Sequence, residues 1–235
     1  MKRTLLVAFA MAAACAHTPP APVPPVDVLY RQAEQKSHPG HFLWWEINHC
    51  DDAIPLYQRV VDTYPFSQYA VEAQLGIADC YFSQEQWSDA IFHYRDFEKL
   101  HPSHQAIGRV RYQLGEAYHA QSLPYDLDTS DLQQAYFYYG KAAYAEGPFA
   151  KEAATKNRAE ADRLAERVYY IGRFYERNDE ALSAIDRYAA LIAEFPASPL
   201  AAEARRRAAN LYRAIGTPEK IESLALPAAP ADPVP

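Results

Sequence analysis

The sequence predicts an all-α fold, an α-solenoid of about five helix pairs. First, ten of the 18 prolines lie in Pro19–Pro25 and Pro218–Pro235, which leaves a Pro-poor middle rich in Ala and Tyr. Second, small and aromatic residues recur in this middle at corresponding positions of successive units. Third, Tyr-Pro, His-Pro and Phe-Pro pairs stand at 64–65, 101–102 and 195–196. Because proline stops a helix, these pairs mark the ends of units.

The unit Ala70–Pro102 shows the repeated pattern most completely. Its first helix carries apolar, small and aromatic residues at Ile77, Ala78 and Tyr81, and its second carries Trp87, Ala90, Tyr94 and Phe97. This is the tetratricopeptide pattern of two antiparallel helices in about 34 residues. Small residues at Ala78 and Ala90 let the helix axes approach, and Tyr81 and Tyr94 fill the space beside them.

The same pattern recurs before and after this unit. The matching residues are Ala53, Tyr57, Val60 and Pro65 in the first unit, Leu114, Gly115, Tyr118, Ala135, Tyr139 and Ala142 in the third, and Ile171, Gly172, Tyr175, Ala184, Tyr188, Leu191 and Pro196 in the fourth. A partial fifth unit is predicted at Ala201–Ile215, followed by a short helix at Pro218–Leu226.

The spacing between equivalent alanines is irregular. It is 37 residues from Ala53 to Ala90, then 45 to Ala135, then 49 to Ala184. We attribute the first excess to a loop at 122–131, in which Asp128 or Thr129 can cap the following helix. The second excess predicts a lengthened helix at 150–176, because charged and apolar residues alternate there at helical period.

The N-terminus predicts a signal peptide over residues 1–14. Lys2 and Arg3 precede the apolar run Leu5–Ala14, which spans about 15 Å as a helix and is too short to cross a bilayer. Small residues then lead into Cys15, as in the bacterial lipobox, so we expect Cys15 to carry a diacylglycerol and an N-acyl chain. The alternative is an ordinary Ala-x-Ala cleavage site with an incidental cysteine.

The remaining boundaries follow from composition. Residues 15–26 are predicted to be a lipid-anchored, Pro-rich linker. The N-terminal repeats then occupy 27–121 and the C-terminal repeats 122–226, and residues 227–235 form a Pro-rich tail predicted to be disordered.

The composition argues against several classes of function. The formal charge of −7, or −9 once Lys2 and Arg3 are removed, disfavours a nucleic-acid partner, because phosphate recognition needs a basic face. We find no catalytic triad pattern, HExxH or CxxC, so we expect no enzyme activity and no cofactor. His38, His41 and His49 with Cys50 lack the spacing of a metal site, and the three histidines are interpreted as solvated loop residues.

Two cysteines remain beyond Cys15. Cys50 and Cys80 are each about 15 residues from the turn at Pro65, so an antiparallel helix pair brings them opposite each other. In an oxidising compartment they could form a disulfide between the first and second repeats. The alternative is a pair of buried thiols whose Cβ vectors diverge.

An insertion of about eight residues within 37–50 interrupts the first repeat. It carries four large apolar residues in a row, Phe42, Leu43, Trp44 and Trp45. Either they cap the exposed end of the solenoid, as terminal repeats require, or they form an exposed patch that contacts a partner or substrate.

Taken together, several of these features resemble the BamD family, lipoproteins of the complex that folds β-barrel proteins into the bacterial outer membrane. The features are the lipobox, five repeats, Tyr64-Pro65-Phe66-Ser67 after the first unit, an acidic loop in the third, and a long helix ending in Tyr175-Glu176-Arg177. The resemblance covers residues 26–226. The insertion and the tail depart from the family pattern.

The resemblance implies a lipid-anchored scaffold on the periplasmic face of the outer membrane. It implies that the C-terminal half binds BamA, with Arg187 pairing with an acidic residue there, alongside other components of the complex. It also implies that the N-terminal half receives unfolded β-barrel precursors. Candidate aromatic residues of that groove are Tyr64, Phe66, Tyr69 and Tyr81, and for each the alternative is a place in the core between repeats.

A second class of function stays open at this point. Repeat lipoproteins also act as secretin pilotins or as cell-envelope scaffolds. A pilotin is expected to have regular 34-residue repeats, whereas the spacings here reach 45 and 49 residues.

Overall fold

A computed structural model describes residues 23–38, 40–42, 45–47, 49–124 and 128–224. These residues form nine α-helices, a β-hairpin and a 3₁₀-helix. The helices are α1 Val26–Ser37, α2 Cys50–Thr63, α3 Gln68–Ser83, α4 Trp87–Leu100, α5 Ile107–Gln121, α6 Ser130–Ala143, α7 Ala150–Arg177, α8 Ala181–Glu194 and α9 Pro199–Ala214. The strands are β1 Gly40–Phe42 and β2 Trp45–Ile47, and the 3₁₀-helix is Pro218–Leu224. The predicted signal peptide, the predicted lipidation site Cys15 and the predicted disordered tail lie outside the described residues.

The helices stack in chain order. Each α-helix packs against the next one, and α1 also contacts α3, as α7 contacts α9. The buried side chains fall into three clusters along the chain, one for the first and second repeats, one for the second and third, and one for α7 to the 3₁₀-helix. This arrangement, in which repeats contact their neighbours, confirms the predicted all-α solenoid.

The prolines and serines between repeats explain where the helices begin and end. Tyr64, His101 and Phe195 leave helical geometry immediately before a proline, which disfavours helical conformation in the preceding residue. Ser67 then starts α3, because its hydroxyl accepts a hydrogen bond from the Ala70 amide at 3.1 Å. Ser198 caps α9 through the Leu200 amide at 3.4 Å.

Close packing within a repeat depends on the predicted small residues. A Cβ atom at Gly115 would lie 2.5 Å from the ring of Tyr139, and one at Gly172 would lie 2.7 Å from the ring of Tyr188. In the second repeat, Ala78 and Tyr94 at the corresponding positions are fully buried. In the third and fourth repeats the tyrosine of the second helix therefore lies against a glycine of the first helix, whereas Gly76 of α3 lies against Tyr57 of the preceding repeat.

The insertion contains a hairpin that the sequence did not predict. β1 and β2 are antiparallel, with Gly40 opposite Ile47 and Phe42 opposite Trp45. At the base of the insertion, the His49 amide donates to the Lys36 carbonyl at 3.2 Å. Leu43, Trp44 and the side chains of Phe42 and Trp45 lie outside the described residues, so capping and partner contact both stay predictions.

Other details refine the predicted elements. The predicted helix at 150–176 is observed as α7, whose 28 residues end at Arg177. At the start of α6, it is Asp128 whose carboxylate accepts from the Ser130 amide at 3.0 Å, whereas Thr129 makes no side-chain cap bond. The short helix predicted at 218–226 is a 3₁₀-helix ending at Leu224.

Candidate functional site

A cavity of about 480 Å³ opens on the first helices of the N-terminal repeats. Its lining includes Tyr30 and Glu34 from α1, Glu72 and Asp79 from α3, and Arg109 from α5. Tyr57 closes it from α2. The cavity therefore combines aromatic rings with three carboxylates and one guanidinium, a surface suited to a polar or cationic polypeptide segment.

One buried tyrosine in the second helix of each full repeat anchors the surface of the first helices. Each hydroxyl donates to a carboxylate on the first helix of its own repeat. The pairs are Tyr57 with Glu34 at 3.3 Å, Tyr94 with Asp79 at 2.6 Å, Tyr139 with Glu116 at 2.7 Å, and Tyr188 with Glu176 at 2.6 Å. All four tyrosines are 1% exposed or less.

The buried position keeps these hydroxyls protonated. Burial raises the pKa of Tyr57 to about 12, and burial together with the Asp79 carboxylate raises the pKa of Tyr94 well above its usual value. Burial and the hydrogen bonds to Glu116 and Glu176 likewise raise the pKa values of Tyr139 and Tyr188. The tyrosines are therefore hydrogen-bond donors at any physiological pH.

In three of the four repeats, a cation from the following repeat pairs with the same carboxylate. The Arg109 guanidinium donates to both oxygens of Asp79 at 2.8 and 3.0 Å. Lys156 donates to Glu116 at 2.5 Å, and Arg207 donates to both oxygens of Glu176 at 3.1 Å. We call these tyrosine–carboxylate–cation contacts the ladder. Each rung joins one repeat to the next.

The first repeat differs from this scheme. Glu34 accepts hydrogen bonds from the Tyr30 and Tyr57 hydroxyls, but within the described residues no Lys or Arg pairs with it. Glu72 lies six residues before Ala78 in α3, and Arg109 lies six residues before Gly115 in α5. The position that carries a cation in α5 therefore carries an acid in α3. The N-terminal cavity is consequently acidic on the side of α1 and α3.

A larger cavity of about 670 Å³ lies between α4 and α6 and has the opposite character. Its lining contains four cations and two acids besides the exposed ring of Phe92, namely Arg95, Lys99, Arg111 and Lys141 with Asp96 and Glu98. Glu98 accepts hydrogen bonds from Arg111 at 2.8 Å and from Lys141. Burial alone would raise the pKa of Glu98, but these two hydrogen bonds outweigh it and lower that pKa.

The four predicted groove aromatics lie in different surroundings. The Tyr69 ring lies 5.2 Å from Tyr30, which lines the acidic cavity. The Tyr81 ring stacks on His93 of α4 at 5.0 Å. The Tyr64 hydroxyl donates to the Pro24 carbonyl at 2.9 Å, and Phe66 is fully exposed in the turn between α2 and α3. Of the four, Tyr69 is thus the one in ring contact with the cavity wall.

The predicted partner-binding arginine is exposed. Arg187 lies on α8 next to the buried Tyr188. Within the described part of the chain it has neither an ion pair nor a hydrogen bond, so its guanidinium is free to meet an acidic group of another protein.

Cys50 and Cys80 meet at the junction of the first and second repeats. Their Cα atoms are 5.2 Å apart, a separation within the range of natural disulfides, and the two side chains point towards each other. Both side chains are 2% exposed. This arrangement favours the bridged alternative over diverging thiols.

No metal-binding arrangement of three or more His, Cys, Asp or Glu residues occurs in the described ranges. The side chain of His41 lies outside them. Over those same ranges, no helix combines the length and apolarity needed to cross a membrane.

The ladder is the feature that sequence reasoning missed. A signal for it exists, because an acid directly follows the small residue in the first three repeats, at Ala33-Glu34, Ala78-Asp79 and Gly115-Glu116. The fourth repeat breaks this pattern, since Gly172 is followed by Arg173 and the acid is Glu176.

Comparison with protein families gives one extended match. The family described as "YfiO: Outer membrane lipoprotein" matches residues 26–225. Two curated relatives are each called outer membrane protein assembly factor BamD. The one from Vibrio cholerae serotype O1 is 24% identical over 230 residues and 92% of both chains. The one from Caulobacter vibrioides is 25% identical over 198 residues, covering 83% of this chain and 62% of that protein.

Solved structures give a weaker likeness. MamA has a TM-score of 0.31 and 20% identity, with 75% of this chain and 84% of that chain covered. The TPR-like repeats of a putative kinesin light chain from Podosopora anserina have a TM-score of 0.34 and 15% identity, with 85% and 89% covered.

Proposed function

Because the chain belongs to the YfiO family of outer membrane lipoproteins, together with the BamD assembly factors, we propose that it is a lipid-anchored periplasmic scaffold of the β-barrel assembly machinery. The observation that supports this most is the family match over residues 26–225. A role in outer membrane protein assembly follows from the relatives, and the solenoid suits that role because stacked helix pairs offer long surfaces for polypeptides.

The anchor we propose is Cys15, acylated after removal of residues 1–14. With a formal charge of −9, the mature chain gains nothing from attraction to anionic lipids, so the acyl chains supply the membrane affinity. The scaffold has no catalytic task and needs no cofactor beyond this lipid.

BamA is the partner we propose for the C-terminal repeats. Arg187 supports this because its guanidinium is exposed on α8 and has no partner within the described residues. A pair of opposite charges in the centre of an interface strengthens binding. Reversing the sign of one charge places like charges together and weakens binding.

We expect Arg187→Glu to weaken BamA binding at least tenfold, equivalent to about 1.4 kcal/mol. Binding is measured by co-purification of the acylated protein with BamA and by titration of the purified proteins. Arg59→Glu is the matched control, because Arg59 is an exposed arginine on α2 of the first repeat.

Unchanged BamA binding by Arg187→Glu, with unchanged thermal unfolding, would remove Arg187 from the interface. Recovery of a secretin in place of BamA would instead favour the pilotin alternative.

Unfolded β-barrel precursors are the substrates we propose for the N-terminal cavity. Tyr30, Tyr57 and the neighbouring Tyr69 offer aromatic surface, and Glu34 and Glu72 accept hydrogen bonds from an extended segment. Binding of extended polypeptides in a repeat groove needs both kinds of contact.

A photo-crosslinking residue at Tyr30 is expected to capture a urea-unfolded precursor on dilution. Tyr144 is the control position, since its ring is 77% exposed and lies at the end of α6, away from the cavity. Equal capture at both positions, or capture at Tyr144 alone, would contradict precursor binding in this cavity.

A further inference from the structure

The chain that leads to the proposed lipid anchor leaves the folded part beside one particular turn. The Tyr64 hydroxyl donates to the Pro24 carbonyl at 2.9 Å, and α1 starts two residues after Pro24. Tyr64 opens the turn of residues 64–67 between α2 and α3. This turn is therefore fixed next to the point where the linker joins the repeats.

The linker is short compared with the solenoid. Pro24 is nine residues beyond Cys15, so at full extension the two are at most about 32 Å apart. The α7 helix alone, with 28 residues, is about 42 Å long. An acyl chain on Cys15 therefore keeps Pro24, and with it the adjoining turn 64–67, within about 32 Å of the anchor point in the bilayer.

The turn 64–67 also presents an unusual side chain. Phe66 follows Pro65 and is fully exposed. In the other turns between repeats, the residue after proline is Ser103 between α4 and α5, Ala197 between α8 and α9, and Phe149 between α6 and α7. The Phe149 ring differs from that of Phe66 because it stacks on Tyr112 at 5.1 Å and packs against the core. Among these four residues, a bulky apolar side chain that is fully exposed thus occurs only in the turn that holds the linker.

The surroundings of Phe66 are compatible with a lipid surface. Residues 63–71 contain no charged side chain, so no ionised group in this stretch has to leave water. Val23, at the end of the linker, is 55% exposed and adds apolar surface. Tyr64 contributes an amphipathic ring, the kind of side chain that is enriched at membrane interfaces.

We propose that the turn 64–67 is a membrane-contacting surface, with Phe66 inserted into the lipid headgroup region of the bilayer that carries the anchor. The inference rests on the proposed acylation of Cys15, because the linker length sets the distance. Anchor and turn together then provide two points of contact, which orient the first repeat against the membrane and direct the other repeats into the periplasm.

The test uses the full-length acylated protein bound to vesicles of phosphatidylethanolamine and phosphatidylglycerol. Phe66→Cys carries the environment-sensitive fluorophore NBD, and Phe92→Cys is the matched control, because Phe92 is a 66% exposed phenylalanine on α4. Wild-type protein treated with the same reagent gives the background from native cysteines, of which Cys50 and Cys80 are buried.

We expect the fluorescence emission of NBD at position 66 to shift to shorter wavelength when the protein binds vesicles. Lipids spin-labelled in the headgroup region should quench this label at least about two-fold more than the label at position 92. Equal quenching at the two positions, in protein that floats with the vesicles, would overturn the contact while leaving the anchor intact. A blue shift at 66 that needs added BamA or precursor would also overturn it, because the turn would then bind protein. Failure to float at all would refute the anchor itself.

Discussion

Replacing Gly115 by alanine is expected to destabilise the protein by about 1–3 kcal/mol. The new Cβ would lie 2.5 Å from the Tyr139 ring. That ring cannot easily withdraw, because Tyr139 is fully buried and its hydroxyl is bonded to Glu116 at 2.7 Å. The usual gain of about 1 kcal/mol on replacing a helix glycine by alanine offsets only part of this cost.

The free energy of unfolding in urea measures the effect of Gly115→Ala. Gly108→Ala on the same helix is the control, because its Cβ would meet Ala145 at 3.3 Å and the Glu146 carbonyl at 3.6 Å, contacts that small shifts can relieve. We expect the control to stay within about 1 kcal/mol of the wild type. Equal free energies of unfolding for the two variants would show that the close approach of position 115 to the Tyr139 ring does not determine stability.

Reduction of a disulfide between Cys50 and Cys80 is expected to lower the free energy of unfolding by about 3–4 kcal/mol. The sequence separation of 30 residues sets this value, because the crosslink removes loop conformations from the unfolded chain. The midpoint of urea unfolding should therefore be lower with reductant than without it.

The double variant Cys50→Ser/Cys80→Ser provides the control for this experiment. Its unfolding should match that of the reduced wild type and should not respond to reductant. If both cysteines of protein purified from the periplasm react with an alkylating reagent after unfolding without reductant, the bond does not form in that compartment.

The repeat pattern allowed much of the fold to be predicted. Prolines indicated the ends of the repeat units and small residues indicated the packed faces of the helices, since these residues act locally or across one helix pair. The long α7 is an example, with a predicted end at Glu176 and an observed end at Arg177. The contact of Gly115 with Tyr139 was likewise predictable, because both residues recur at fixed positions in the repeat.

Features that depend on contacts between repeats were not predictable in the same way. The cation of each ladder rung comes from the next first helix, as with Arg109 and Asp79, and its position depends on how the repeats stack. The bond from Tyr64 to Pro24 joins residues 40 positions apart. The hairpin escaped prediction because Phe42 to Trp45 form a continuous apolar run without the alternation of a strand.

The Lys36–His49 backbone bond has a consequence for how this molecule can diversify. That bond closes the insertion at its base and joins the end of α1 to the start of α2, two helices that pack against each other. We therefore expect changes in the length and side chains of the insertion to leave the packing of α1 against α2 intact. The first repeat thus carries a modular appendage, where a new binding specificity can arise without redesign of the scaffold that supports it.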